Sequence, residues 1–166
     1  GFDDAPSLDL LLVPGGIGTF TELANPKMIA FLRERARAAR ITASVCTGSA
    51  LLAKAGILDG HRATSNKQVF DLAVAQGASV DWIAAARWVD DGAVVTSSGV
   101  LAGMDMALAI IARLFGTGAA EAIAIAQARP MPRPAPEMRT WRPSRRNALS
   151  MKGVVIVGGV SVEVQR

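Results

Sequence analysis

Ile41-Thr42-Ala43-Ser44-Val45-Cys46-Thr47-Gly48-Ser49-Ala50 decides how the rest of the chain is read, and it holds the chain's single cysteine. Its first half alternates β-branched and small residues, as a short buried strand does, and Gly48-Ser49-Ala50-Leu51-Leu52-Ala53-Lys54 opens an apolar helix. Cys46 stands at the bend between them. Small Ser44 and Gly48, two residues to either side, allow a sharp turn with the layout of a nucleophile elbow, which pushes the thiol out of the sheet. There it meets the positive end of a helix dipole, where a thiolate is favoured. A lone cysteine in an apolar run also reads as a small core hydrophobe. The strand-Cys-helix context favours the reactive position.

Upstream, Leu8-Asp9-Leu10-Leu11-Leu12-Val13 is nearly continuous in apolar residues, as expected of a strand buried on both faces of a parallel sheet. Pro14-Gly15-Gly16 ends it and brings bare backbone amides to the strand's C-terminal end, the ligand side of an open α/β sheet. Asn25-Pro26 then predicts a helix start, with Asn as cap and Pro at the first helical position. Met28, Ile29, Leu32 and Ala36 share one face of that helix, while Arg33, Glu34, Arg35, Arg37 and Arg40 mostly face outward. The helix after Cys46 is expected to stop at Gly56. Strand, helix, strand, helix in this order predicts a parallel α/β fold with right-handed crossovers.

Downstream, a short strand follows His61, and a helix is expected from about Lys67 to Gln76, with Asn66 at its start. His61 reads as a surface residue rather than a base. Val80-Asp81-Trp82, Ala86-Arg87-Trp88-Val89 and Val94-Val95-Thr96 predict strands, the last two joined by a turn at Asp90-Asp91-Gly92. Ser97-Ser98-Gly99 leads into a helix from about Leu101 to Phe115. Asp105 lies within that apolar helix. Because a buried carboxylate is costly without hydrogen bonds, Asp105 is expected either to accept them from backbone amides beside the Cys46 bend, the favoured placement, or to face solvent. A last apolar helix runs from about Ala119 to Ala128. Beyond it, Pro130-Met131-Pro132-Arg133-Pro134-Ala135-Pro136 suits neither helix nor central strand. Met151 to Gly159 turns strand-like again and suits pairing at a sheet edge.

At 166 residues and 51% apolar composition, the chain can bury a sizeable core in one domain. Its uninterrupted apolar runs are too short to span a bilayer, and Gly1-Phe2-Asp3-Asp4 lacks a signal pattern, so a cytoplasmic location is expected. A single cysteine fits a reducing compartment, and one His with one Cys makes a protein-only zinc site improbable. The net charge of +4 is uneven: residues 1–120 carry ten Lys/Arg against eleven Asp/Glu, and residues 121–166 carry eight against three. A neutral body argues against nucleic-acid binding through the main domain.

Four stretches together resemble the ThiJ/PfpI superfamily of class I glutamine-amidotransferase-like proteins, especially its isocyanide-hydratase-like branch. They are Leu12-Val13-Pro14-Gly15-Gly16, Ala43-Ser44-Val45-Cys46-Thr47-Gly48-Ser49, Gly56-Ile57-Leu58-Asp59-Gly60-His61-Arg62-Ala63-Thr64, and Thr96 through Leu108 with its Gly103-Met104-Asp105. The resemblance implies a flavodoxin-like α/β sandwich, a homodimer, and no metal or organic cofactor. It implies Cys46 as nucleophile, the Gly16 and Thr47 amides as an oxyanion-type pocket, and Gly15, Gly48 and Asp105 as supporting residues. The implied reaction converts a small-molecule isocyanide into an N-substituted formamide. Where peptidase-like members carry a His after the Thr-Ser pair this chain has Asn66, which argues against a Cys-His amidase dyad.

Residues 1–128 are therefore expected to form the ThiJ/PfpI-like domain without that family's first strand. Residues 129–166 form a Pro/Arg-rich basic tail with a strand near 153–158, which either supplies the missing strand from the other terminus or stays apart. Alternatives to catalysis are a ligand-sensing domain of the kind that precedes a helix-turn-helix in AraC-type regulators, a redox or stress-response protein, and an inactive truncated copy.

Overall fold

In the computed structural model the apolar run forms an inner strand, β1 (Leu10–Pro14), with Leu11 and Val13 fully buried and Leu10, Leu12 and Pro14 half-buried, so that one face is less covered than the expected burial on both. The structure describes residues 7–128 together with the backbone of residues 154–156. After β1 come a short helix α1 (Thr19–Glu22) and α2 (Pro26–Ala38), whose start is capped by the Asn25 side chain accepting from the Lys27 and Met28 amides. Strand β2 (Ile41–Val45) leads through Cys46 into α3 (Gly48–Lys54). The chain continues with β3 (Arg62–Ala63), α4 (Phe70–Val74), β4 (Asp81–Trp82), β5 (Trp88–Asp91) and β6 (Val94–Ser97), and then α5 (Val100–Phe115), α6 (Thr117–Ala128) and β7 (Val154–Ile156).

The main sheet has the order β5-β6-β2-β1-β7. β1 pairs with β2 and β2 with β6 in parallel, whereas β5 and β6 form the antiparallel hairpin expected around Asp91-Gly92. β7 pairs in parallel with β1, Leu10 opposite Val154 and Leu12 opposite Ile156, and so covers the remaining edge of β1. The rest of the expected tail lies outside the described residues. β3 and β4 make a separate two-stranded parallel sheet. Among the described residues no helix is long and apolar enough to cross a membrane. A second compact unit begins at Ala107, and its described elements are the C-terminal part of α5 and α6.

The core of the first unit is aliphatic. Leu11 and Val13 of β1 meet Phe31 and Leu32 of α2, Leu51 and Leu52 of α3, and Leu58 beyond it. Each fully buried leucine contributes roughly 2 kcal/mol of transfer free energy. Helix α4 is shorter than the expected Lys67–Gln76 because Val69, at φ −129°, breaks the helical run and leaves Lys67 to Val69 as a turn. Asn66 Oδ1 closes that turn by accepting from the Gln68 and Val69 amides.

Two glycines let the β1 and β2 ends meet. A Cβ on Gly48 would stand 2.1 Å from the Val13 carbonyl oxygen, and one on Gly15 would stand 2.4 Å from the Thr47 amide nitrogen. Both neighbours are backbone, one in β1 and one at the start of α3, and cannot yield. Gly48→Ala is therefore expected to destabilise the protein by about 3 kcal/mol or more, whereas Gly99→Ala, which meets nothing within 4 Å, should lie within about 0.5 kcal/mol of wild type. Urea denaturation of the two variants checks this, and equal midpoints would contradict the packing described.

Candidate functional site

Cys46 is the one non-glycine residue with positive φ among the described residues, at 61°. A left-handed conformation at a residue with a Cβ is strained, and it persists only where the surroundings hold it. Here they do so on both sides. The Cys46 amide donates to the Ser97 carbonyl at the end of β6 (2.9 Å), and its carbonyl accepts from Ser49 Oγ (3.2 Å) and Ser65 Oγ (3.4 Å). The chain turns between β2 and α3 at this residue, and the thiol is free and partly exposed.

The nearest polar partner of the sulfur is an amide. Asn66 Nδ2 donates to Cys46 Sγ at 3.2 Å. Because Asn66 Oδ1 is already engaged by the Gln68 and Val69 amides, the side chain is fixed with its nitrogen toward the thiol. The preceding residues bring it there: the Thr64 amide donates to Thr96 Oγ1 of β6 (2.8 Å), and Ser65 is tied to the Cys46 carbonyl. Lys67 follows, its ammonium bonded to Thr64 Oγ1 (2.6 Å) and 5.2 Å from the Phe70 ring centre. Partial burial pushes that ammonium below its ordinary value.

On the other side of Cys46, Thr47 Oγ1 accepts from the Gly16 amide (3.0 Å) and bonds Thr19 Oγ1 (2.9 Å), clasping the Pro14-Gly15-Gly16 turn to the start of α3. This changes one expectation. The structure brings Gly15, Gly16, Cys46, Thr47 and Gly48 together, but the Gly16 amide is engaged by the Thr47 hydroxyl and does not point free into a pocket. Large apolar side chains lie open on the two segments flanking the turn, Ile17 (88% exposed) and Phe20 on one and Val100, Leu101 and Met104 on the other.

Asp105 also departs from the favoured placement. It is an exposed carboxylate paired with Arg87 Nη2 and does not bond the amides beside the bend. The first turns of α5 instead support the bend through Gly103, where a Cβ would approach both Val45 methyls at 3.1 Å. His61 lies away from the thiol: its Nδ1 is 2.8 Å from Asp91 Oδ2, by the β5–β6 turn. This bond, with one from the Arg62 amide, holds the Asp91 carboxyl below the usual carboxylate range. Asn66 was read from sequence as a helix start and as the occupant of the position where peptidase-like members carry a His, but not as a partner of the thiol. The cue to its second role is its place just after Thr64-Ser65, which the sheet ties to Cys46.

A flavodoxin-like α/β sheet carrying a strained, amide-bonded cysteine where a parallel strand gives way to a helix defines the class of this protein. The chain belongs to the DJ-1/PfpI family, whose model matches residues 2–113. It is 38% identical over 122 residues to the isonitrile hydratase of Pseudomonas putida, a match covering 74% of this chain and 52% of that protein. It is 37% identical over 124 residues to the HTH-type transcriptional regulator GbdR of Pseudomonas aeruginosa, covering 74% of this chain and 33% of the regulator. Among solved structures, a ThiJ/PfpI family protein from Pseudomonas syringae matches with a TM-score of 0.69 at 33% identity, over 80% of this chain and 55% of that one. The chain thus spans about half the length of the hydratase and a third of the regulator.

An amide N–H donor favours a thiolate, and a carboxylate in its place opposes one. Asn66→Asp is expected to slow alkylation of Cys46 by iodoacetamide at neutral pH at least tenfold, roughly 1.4 kcal/mol in the barrier. Equal rates in variant and wild type would show that the amide does not act on the sulfur.

Proposed function

We propose that this chain carries the Cys46 site of a small-molecule hydratase acting on isocyanides. The observation that carries the reading is the Cys46 thiol at the strand-to-helix turn with Asn66 Nδ2 at 3.2 Å. The identity to isonitrile hydratase over the same residues supports it. In this reading the thiolate forms an S–C bond to the terminal isocyanide carbon, and a proton completes a thioimidate. Water then adds to that carbon, the S–C bond breaks with its electron pair returning to sulfur, and an N-substituted formamide leaves. Asn66 holds the thiolate before attack and receives it again after hydrolysis. An asparagine amide cannot take up a proton, so the protons of this sequence pass through water. With the Gly16 amide engaged, Thr47 acts by holding the turn beside Cys46 rather than by sharing an oxyanion pocket with Gly16.

The identity to the regulator supports a second reading, in which the same domain senses a ligand without turning it over. Incubating the full chain with cyclohexyl isocyanide and following N-cyclohexylformamide by NMR separates the two. Hydratase function predicts product from wild type and at least a thousandfold less from Cys46→Ser. Product from both proteins alike, or from neither, would remove the hydratase reading.

The homodimer implied by the family resemblance would bury the exposed Ile17, Val100 and Leu101 around this turn. Sedimentation equilibrium is expected to give a dimer that Ile17→Glu dissociates. A monomer at every concentration would count against this assembly.

A further inference from the structure

The end of the sheet opposite Cys46 holds a second site. A cleft of about 530 Å³ opens at the start of β2, beside Thr42, where it lies between the ends of α2 and α3 and the turn before β6. Thr42 and Cys46 are four residues apart along β2, about 13 Å, and stand at opposite ends of the strand. The mechanism proposed for the thiol uses none of the cleft's residues.

The charges in the cleft are of both signs and do not cancel one another. Arg33 and Arg37, one helical turn apart on α2, both line it. Arg33 Nε donates to the Ala55 carbonyl at 3.0 Å, which fixes its guanidinium against the end of α3. Asp59 lines the same cleft, its Oδ2 3.4 Å from the position of a Cβ on Gly56, the next residue. The guanidinium of Arg33 is thus held at Ala55, and the exposed Asp59 carboxylate stands beside the next residue, Gly56. Yet no ion pair joins Asp59 to either arginine among the described residues, so their nitrogens and its oxygens are more than 4.0 Å apart. Two helix C-termini also end here, and their carbonyl ends favour a cation. A simple anion would be opposed by Asp59 and these carbonyls, and a simple cation by the arginines. Ile57 and Val94 supply an apolar wall, and His61, anchored through Nδ1 by Asp91, completes the lining.

From this separation of opposite charges around an anchored Arg33, beside an apolar wall, we infer that the cleft binds an aliphatic α-amino acid. Its carboxylate would lie on Arg33 and Arg37, its ammonium on Asp59, and its side chain on Ile57 and Val94. Bound in this way, each ligand charge meets its opposite, and neither protein charge is left desolvated without a partner.

His61 is the chain's only histidine, so its imidazole gives a single, unambiguous NMR signal at the cleft wall. The test titrates the full chain with L-leucine at constant pH and ionic strength. Controls are 4-methylpentanoate, which lacks the amino group, and 3-methylbutylamine, which lacks the carboxylate. The inference predicts a saturable shift with L-leucine at about millimolar concentration and at least tenfold weaker binding of both controls. It also predicts that Arg37→Ala and Asp59→Asn, both at exposed positions, each weaken L-leucine at least tenfold. It is overturned if L-leucine gives no saturable shift, if either control matches it, or if either variant binds as wild type does. The readout uses no isocyanide and no thiol, so its failure would leave the hydratase reading untouched, and the converse holds.

Discussion

The contact between Gly48 and the end of β1 governs this structure. With a hydrogen where any other residue has a Cβ, Gly48 lets the first turn of α3 lie against the Val13 carbonyl. That approach places Thr47 within reach of the Gly16 amide and gives Cys46 no room to relax out of its left-handed conformation. The strain at Cys46, of order 1–3 kcal/mol, is held there by bonds to Ser97, Ser49 and Ser65 rather than by the residue itself. A reactive-looking geometry is thus the by-product of three backbone segments packed closer than side chains would allow.

What surrounds the thiol narrows its chemistry. The one side chain bonded to the sulfur among the described residues is Asn66, a donor whose acceptor end is already engaged by its own turn. Such a group stabilises negative charge on sulfur in the ground state and on its return as a leaving group. It cannot relay a proton to a departing amine, as amide hydrolysis requires. Addition to an electrophilic carbon, with protons exchanged through water, makes the least demand on these residues.

The parts legible in the sequence were those set by local rules. The apolar runs at Leu8–Val13 and Ile41–Val45, the Asn25-Pro26 cap and the Asp91-Gly92 turn each state their structure within a few residues, and each element is there, the first strand shifted to Leu10–Pro14. The misreadings came where a polar side chain had several partners to choose from. The inward placement of Asp105 was favoured because its helix is apolar, but it sits exposed and meets Arg87, which stands just ahead of β5. The Gly16 amide was expected free because the turn leaves it bare, yet the Thr47 hydroxyl, 31 residues on, takes it. His61 finds Asp91 at a separation of 30 residues. Periodicity carries no record of such pairs, because they depend on which strands become neighbours.

The two ends of β2 are also unlike in kind. At the Cys46 end the backbone is strained, its polar groups are tied to neighbouring strands, and the exposed surface is apolar. At the Thr42 end charges of both signs line the cleft, and among the described residues no ion pair joins Asp59 to Arg33 or Arg37. Between them Thr42, Ala43 and Ser44 are buried, and β2 is hydrogen-bonded on both edges, to β1 and to β6. Coupling between two such sites needs an element with two arrangements that both ligands bias. A central strand paired on both sides, with Gly48 close against β1, resists a second arrangement, because any shift of β2 would have to break its pairing to β1 or β6. The sheet therefore separates the two ends as much as it supports them.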